Sequence, residues 1–198
     1  MAAVALRVDA AGSAPALLLR PWEDGDVAAL VEAYQDPALH LWTNQTVSNE
    51  EDAARWLEAR RRGWAVGDRP SFAVLEEPAG QDGSRPVAHV VLKKTDPTGP
   101  AAEVGYWTAA RARGRGVASR ALGALSAWAF ETFAAEGLQR LDLLHQVDNA
   151  ASCRVAEKCG FTFAQVLPPN PPYPLEGHLH SRTARLPRPG GGQPAASR

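Results

Sequence analysis

The sequence contains no isoleucine, and lysine is nearly missing as well: three lysines stand against eighteen arginines. Both scarcities fit a coding bias toward G+C, so arginine abundance alone says little about function. Cysteine is scarce too. Cys153 and Cys159 are the only two, six apart in a segment that reads as helix, which separates their Cα atoms by roughly 9 Å and turns them about 120° from each other. They cannot bridge each other. Five histidines, His40, His89, His145, His178 and His180, stand scattered without a zinc-type spacing, so no metal is expected. No apolar run reaches the 18 or so residues of a membrane span, and the first residues lack the charged and apolar regions of a secretion signal. No membrane partner and a cytoplasmic location are therefore expected. The formal net charge of −1 gives no overall basic field, so nucleic acid is not expected as the main partner. An RNA or DNA contact would rest only on Arg182, Arg185, Arg188 and Arg198.

What is present suits one domain. At 198 residues the chain can bury a core without disulfides or metals. Residues 1–15 read as a flexible unpatterned lead, 16–187 as a single domain, and the proline- and glycine-rich 188–198 as a disordered tail. A homodimer is compatible with this organisation.

The apolar run at 17–20 reads as a strand that Pro21 ends, and a helical period follows from Asp24 through Val27, Leu30, Val31 and Tyr34 until Pro37 interrupts it. Ser48-Asn49-Glu50-Glu51 reads as a capping box opening a helix toward Gly67. Strands are expected at 71–76, 86–94 and 102–108, paired antiparallel across turn-rich connections. A long helix is expected over 116–135, then a strand at 138–144, a helix at 150–158, and strands at 161–167 and 177–186. This order predicts an α+β fold, a mixed and mostly antiparallel sheet of six to seven strands with helices on both faces.

One stretch is out of place for its position. RARGRGVAS, residues 111–119, puts three arginines at a helix start, where the macrodipole already carries about half a positive charge. No Asp, Ser or Asn stands ahead to cap the free N–H groups. A helix start of this kind is a seat for an anion, and Gly114 and Gly116 allow the backbone to approach it without Cβ interference. A dinucleotide turn would follow its strand at once, whereas six residues separate Trp107 from Gly114, and no Gly-Lys-Ser/Thr marks a P-loop.

RARGRG resembles the Gln/Arg-x-x-Gly-x-Gly/Ala acyl-CoA motif of the GCN5-related N-acetyltransferase (GNAT) family. DNAASCRVAEKCGF resembles that family's later Asn-x-x-Ser…Glu-Lys-x-Gly-Phe segment, matched by Asn149, Ser152, Glu157, Lys158, Gly160 and Phe161. LLLRPWEDGD, residues 17–26, is similar to the start of the branch that acetylates the alanine or serine N-termini of ribosomal proteins. The resemblance implies an acetyl-CoA-dependent enzyme that moves an acetyl group directly to a primary amine, of a protein N-terminus or of a small cationic molecule. The alternative is a regulatory module that keeps the acyl-CoA cradle without catalysis.

The resemblance also implies a site. Acetyl-CoA as cosubstrate would contact Val104, Gly105, Arg111, Arg113, Gly114, Arg115, Gly116, Val117, Ala118, Asn149 and Ser152, its pantetheine arm lying between the strands at 102–108 and 138–144. Gly105 either forms a bulge that aims an N–H at the thioester oxygen or merely accommodates packing. A free amine with pKa about 10 needs a base, and Glu103 is the first candidate, provided its strand register turns it toward the acceptor. Ser152 is the candidate acid and Tyr173 the second, while Asn149 either caps its helix or bonds the cosubstrate. Cys159 shares a stripe with Ser152, Val155 and Ala156 and reads as a packed thiol. Residues 23–58 carry nine acids against Arg55 alone, which suggests a cationic acceptor, though acids also favour first turns. Trp42 and Trp64 either line the acceptor groove or belong to the core.

Overall fold

The computed structural model describes residues 4–43, 45–77, 85–96 and 98–184. Eight strands, β1 (Leu6–Val8), β2 (Ala16–Pro21), β3 (Ser71–Glu77), β4 (Ala88–Lys93), β5 (Ala101–Thr108), β6 (Arg140–Gln146), β7 (Thr162–Leu167) and β8 (Gly177–Thr183), form one sheet in the order β1-β2-β3-β4-β5-β6-β8-β7. Every neighbouring pair is antiparallel except β5 and β6, which run parallel. The helices are α1 (Val27–Tyr34), α2 (Pro37–Trp42), α3 (Glu50–Val66), α4 (Val117–Thr132) and α5 (Ala150–Lys158).

The sheet has one strand more than the six to seven expected, because β1 forms inside the stretch that reads as an unpatterned lead. Three residues, Leu6 to Val8, pair with Leu19 to Leu17 of β2. So short an edge strand leaves no period to detect. The expected tail at 188–198 lies outside the described residues.

Helices cover both faces, and each face has its own core. On one, Leu122, Leu125 and Ala129 of α4 pack on Leu19, Phe72, Val74, Leu92, Val104 and Leu141. On the other, Leu30, Tyr34 and Leu57 of α1 and α3 pack on Ala73, Leu75 and Trp107. β3 alternates between them, Phe72 and Val74 to one side and Ala73 and Leu75 to the other, so its residues are buried on both faces and read as one continuous apolar run. Ser126, inside the α4 interface, satisfies its hydroxyl by donating to the Leu122 carbonyl at 2.7 Å.

Local signals are placed close to their expected positions, with two shifts. Pro37 does not end a helix but opens α2, where a missing N–H costs nothing, and Asp36 caps it by accepting from the Ala38 N–H at 3.0 Å. The cap of α3 lies one residue later than read and is not a full box: Asn49 accepts from the Asp52 N–H at 2.9 Å, and the Asp52 carboxylate accepts from the N–H of Ser48, ahead of the cap. Gly67, at φ 82, stops the helix.

The parallel ladder between β5 and β6 runs only from Ala101↔Arg140 to Val104↔Leu143. Beyond it β5 stays with β4 and β6 stays with β8, so the two strands part and the sheet opens into a wedge.

Candidate active site

From the end of β5 the chain passes a short 3-10 turn, Ala110–Ala112, and then Gly114 and Gly116, both at φ 76, before α4 begins. Gly116 is the N-cap of α4, and no side chain caps that terminus. A cavity of about 430 Å³ opens on it. Its wall includes Arg113, Gly114, Gly116, Val117 and Ala118 from the loop, Tyr106 from β5, and Asn149, Ser152 and Lys158 from the α5 segment. An uncapped helix start with glycines at left-handed positions faces an open space of ligand size, which fits a phosphate-bearing group.

The three arginines of the loop do not act alike. Arg113 lines the cavity and pairs with Asp36. Arg111 and Arg115 are not among its lining residues. Arg111 donates to the Pro86 carbonyl at 2.7 Å and reaches Glu32 at 3.4 Å, and Arg115 lies 3.1 Å from Glu76. These two brace the loop against α1, β3 and the start of β4.

A second cavity, about 460 Å³, opens on the other side of the wedge and is walled by Gly105, Glu103, Lys93, His89, Arg60 and Arg69 among others. The two cavities share Trp42, Thr43, Tyr106, Trp107, Asn149 and Ser152. They meet where β5 and β6 part, giving a passage through the sheet. Gly105 forms no bulge there. It pairs in register with Val91 on β4, and the ladder opens on the β6 side alone. Val104 lines the second cavity rather than the first, with its side chain in the α4-side core.

At the junction the Tyr106 and Ser152 hydroxyls lie 2.9 Å apart. Asn149 caps α5 by accepting from the Ser152 N–H at 3.1 Å, which fixes Ser152 in the first turn. Burial raises the pKa of the Tyr106 phenol, opposed by its bond to Ser152, so the phenol stays protonated and able to donate. Tyr106 is not among the candidates read from the sequence, because its pairing with Ser152 spans 46 residues. Strand alternation held the signal, since Tyr106 shares the face of Val104.

Glu103 does face the second cavity and pairs with Lys93. Tyr173 sits on the same cavity's wall, in the connection between β7 and β8, and is not among the residues lining the first cavity. Trp42 lines both cavities. Trp64 is core: it packs edge-on against Phe72, and its indole N–H donates to the Ser71 carbonyl at 2.8 Å. Cys159 donates to the Ser119 carbonyl at 3.1 Å, and burial pushes its thiol up to about 11, as suits a packed residue and not a nucleophile.

Segment 23–58 gives the second cavity Tyr34, Trp42, Thr43, Gln45 and Trp56, but none of its nine acids. Its acids are engaged elsewhere: Asp26 with Arg20 at 2.8 and 2.9 Å, Asp24 with Arg61, Glu32 with Arg85, and Glu51 with Arg55. The charges that do line it are Arg60, Arg69, Lys93 and Glu103, a cationic excess. No ion pair involves Arg60 or Arg69 among the described residues, and the Arg60 Nε is buried without a partner. Arg60 lies 4.7 Å over the Trp56 ring. His89 lies at the wall of this cavity amid Trp22, Trp56 and Trp107, its Nδ1 accepting from the Trp22 indole N–H at 3.0 Å.

Two cavities that meet where β5 and β6 part, one of them opening on an uncapped helix start, suit a transferase that takes its group from a long phosphorylated carrier. The model of the acetyltransferase (GNAT) domain matches residues 16–162, and the chain belongs to that family. It is an N-acetyltransferase. Among curated proteins none matches the chain. A putative ribosomal-protein-serine acetyltransferase from Vibrio cholerae is similar to it at 26% identity and a TM-score of 0.72, over 85% of this chain and 94% of that one. RimJ of Mycobacterium smegmatis, solved with a CoA disulfide, shares the fold at 22% identity and a TM-score of 0.73, over 92% and 87%. So does the Salmonella typhimurium enzyme that modifies the N-terminal serine of ribosomal protein L7/L12, at 22% identity and 0.70, over 85% and 95%. Among the described residues no helix is long and apolar enough to cross a membrane.

Proposed function

We propose that acetyl-CoA seats its pyrophosphate at the loop of Arg113, Gly114, Gly116, Val117 and Ala118, runs its pantetheine arm into the wedge, and gives its acetyl group to the N-terminal amine of a protein or peptide. The acceptor reaches the thioester from the second cavity. The observation that carries this reading is the meeting of the two cavities at Tyr106 and Ser152.

The chemistry is direct transfer. Glu103, bonded to Lys93 through Oε1, keeps Oε2 to take a proton from the incoming ammonium, directly or through water. The neutral amine attacks the thioester carbonyl. Successive strand N–H groups point to opposite edges, so one of the Gly105 and Tyr106 amides faces the wedge, past the end of the β6 ladder, and receives the oxyanion. Collapse of the intermediate breaks the carbon–sulfur bond, the Tyr106–Ser152 pair supplies the proton to the departing thiolate, and the proton shed by the acylated nitrogen restores that pair through water. Tyr173 closes the acceptor side.

The cationic lining of the second cavity favours an N-terminus followed by an acidic side chain, held by Arg69 and Arg60, over a small polycation. The similarity to an enzyme described as a ribosomal-protein-serine acetyltransferase supports a protein N-terminus. Release of CoA thiol over a panel of N-terminal peptides and polyamines tests this. Peptides with Asp or Glu at the second or third position should turn over best, and Arg69→Gln should raise their KM about tenfold with kcat little changed. Preferred turnover of a polyamine would overturn the acceptor assignment.

A further inference from the structure

Four side chains from β6, α5 and β8 converge at the end of the sheet. His145 on β6 stands directly opposite His178 on β8, and His180, two residues on, lies on the same face. Cys153 comes down onto them from α5. The ligand atoms of His145, Cys153, His178 and His180 all lie within 4.8 Å of one another. The Cys153 Sγ is 3.6 Å from the His145 Nε2 and 3.5 Å from the His178 Nδ1.

Those separations have a specific meaning. Bonds of about 2.3 Å to sulfur and about 2.0 to 2.1 Å to nitrogen, opened to a tetrahedral angle, place sulfur and nitrogen about 3.5 Å apart. A second observation stands apart from the geometry. His180 is 3% exposed, and neither of its ring nitrogens has a hydrogen-bond partner. A buried imidazole with both nitrogens unsatisfied is costly unless something else binds it. His145 is also oriented as a ligand: its Nδ1 lies 2.8 Å from the Gln146 carbonyl, which fixes the proton there and leaves Nε2 free to coordinate.

We infer that His145, Cys153, His178 and His180 form a tetrahedral site for a divalent cation of zinc's class, bound by one thiolate and three imidazoles. With four protein ligands and no open position the site is structural, outside the acetyl transfer itself. Binding releases the Cys153 proton and puts the lone pairs of three neutral imidazoles on the metal. Phe163 packs edge-on against His178 and His180 and covers the cluster from the β7 side. The ion would pin α5 to β6 and β8. Asn149 and Ser152 stand at the start of that helix, so the clamp would hold the reacting end of the site in place.

Titration of the chelator-treated, untagged protein with Co²⁺, followed by displacement with Zn²⁺, tests the site. One equivalent should bind with the intense visible bands of tetrahedral cobalt and a thiolate charge-transfer band in the near ultraviolet, and Zn²⁺ should abolish both and raise the melting temperature. Cys153→Ser should lose the charge-transfer band, and it and His180→Ala should each bind Zn²⁺ at least about tenfold more weakly. Cys159→Ser should behave as the parent does and serves as the folding control. Failure to take up one equivalent, a weak octahedral spectrum, or a charge-transfer band that survives Cys153→Ser would each overturn the inference, whatever the enzyme's activity.

Discussion

The hydroxyls of Tyr106 and Ser152, 2.9 Å apart, join β5 to α5 across the open mouth of the wedge. Neither residue reaches both cavities by accident of a loop, since one is on a strand and the other in the capped first turn of a helix. Tyr106→Phe and Ser152→Ala should each lower kcat by about a hundredfold in steady-state thiol release. The double variant should be far less impaired than the product of the two, because the pair acts as one unit. Full multiplicative loss would show two independent roles.

The loop arginines should separate cleanly. Arg113→Ala should raise the KM for acetyl-CoA and make it less sensitive to salt, as removal of one screened charge contact requires. Arg111→Ala should leave that KM near the parent value and cost about 1 kcal/mol of stability, the worth of its bond to the Pro86 carbonyl. Isothermal calorimetry beside urea unfolding reads both; equal losses of affinity would contradict the division.

Gly116 tests the seat itself. A Cβ there meets nothing within 4 Å, so Gly116→Ala introduces no clash, but φ 76 strains any side chain by about 1 to 3 kcal/mol. The variant should melt lower and bind acetyl-CoA more weakly, as the first turn of α4 shifts to relieve the strain. A parent-like melting temperature and affinity would count against the conformation of the loop.

Burial first, and then the charges of Arg60, Lys93 and Arg69, hold the His89 imidazole well below its ordinary range. The unfolded chain takes up a proton that the folded protein refuses, so this contribution to stability is full above about pH 6.5 and is lost as the pH falls below it. His145 and His180, also lowered, act in the same direction. Urea unfolding between about pH 7.5 and about pH 5.5 should show stability falling with acid, and His89→Gln should flatten the slope while lowering stability at the neutral end. A parent-like slope in the variant would place the acid sensitivity elsewhere.

The sequence carried most of the fold because its signals are local. The 3.6-residue stripe of α4, the capping residues of α3 and the glycines ahead of α4 each announce themselves within a few positions. The residues proposed for the site are legible where their signal is local, in the glycine-rich loop before α4 and at Asn149 and Ser152. Tyr106 is not, because its meaning depends on a partner 46 residues away. The acids of residues 23–58 misled for the same reason: only the fold shows that Arg20, Arg61, Arg85 and Arg113 consume them. The histidines look scattered along the chain, yet β6, β8 and α5 bring three of them to one cysteine.

The parting of β5 from β6 after Val104 and Leu143 has a further consequence. A strand edge left unpaired on the outside of a protein is a template on which other chains can stack. Here the two unpaired edges face each other within the body of the sheet, beneath α5, while the outer edge on one side is a strand of three residues. Only a slender, flexible chain could thread between these two edges, and their placement inside the sheet keeps them from acting as such a template.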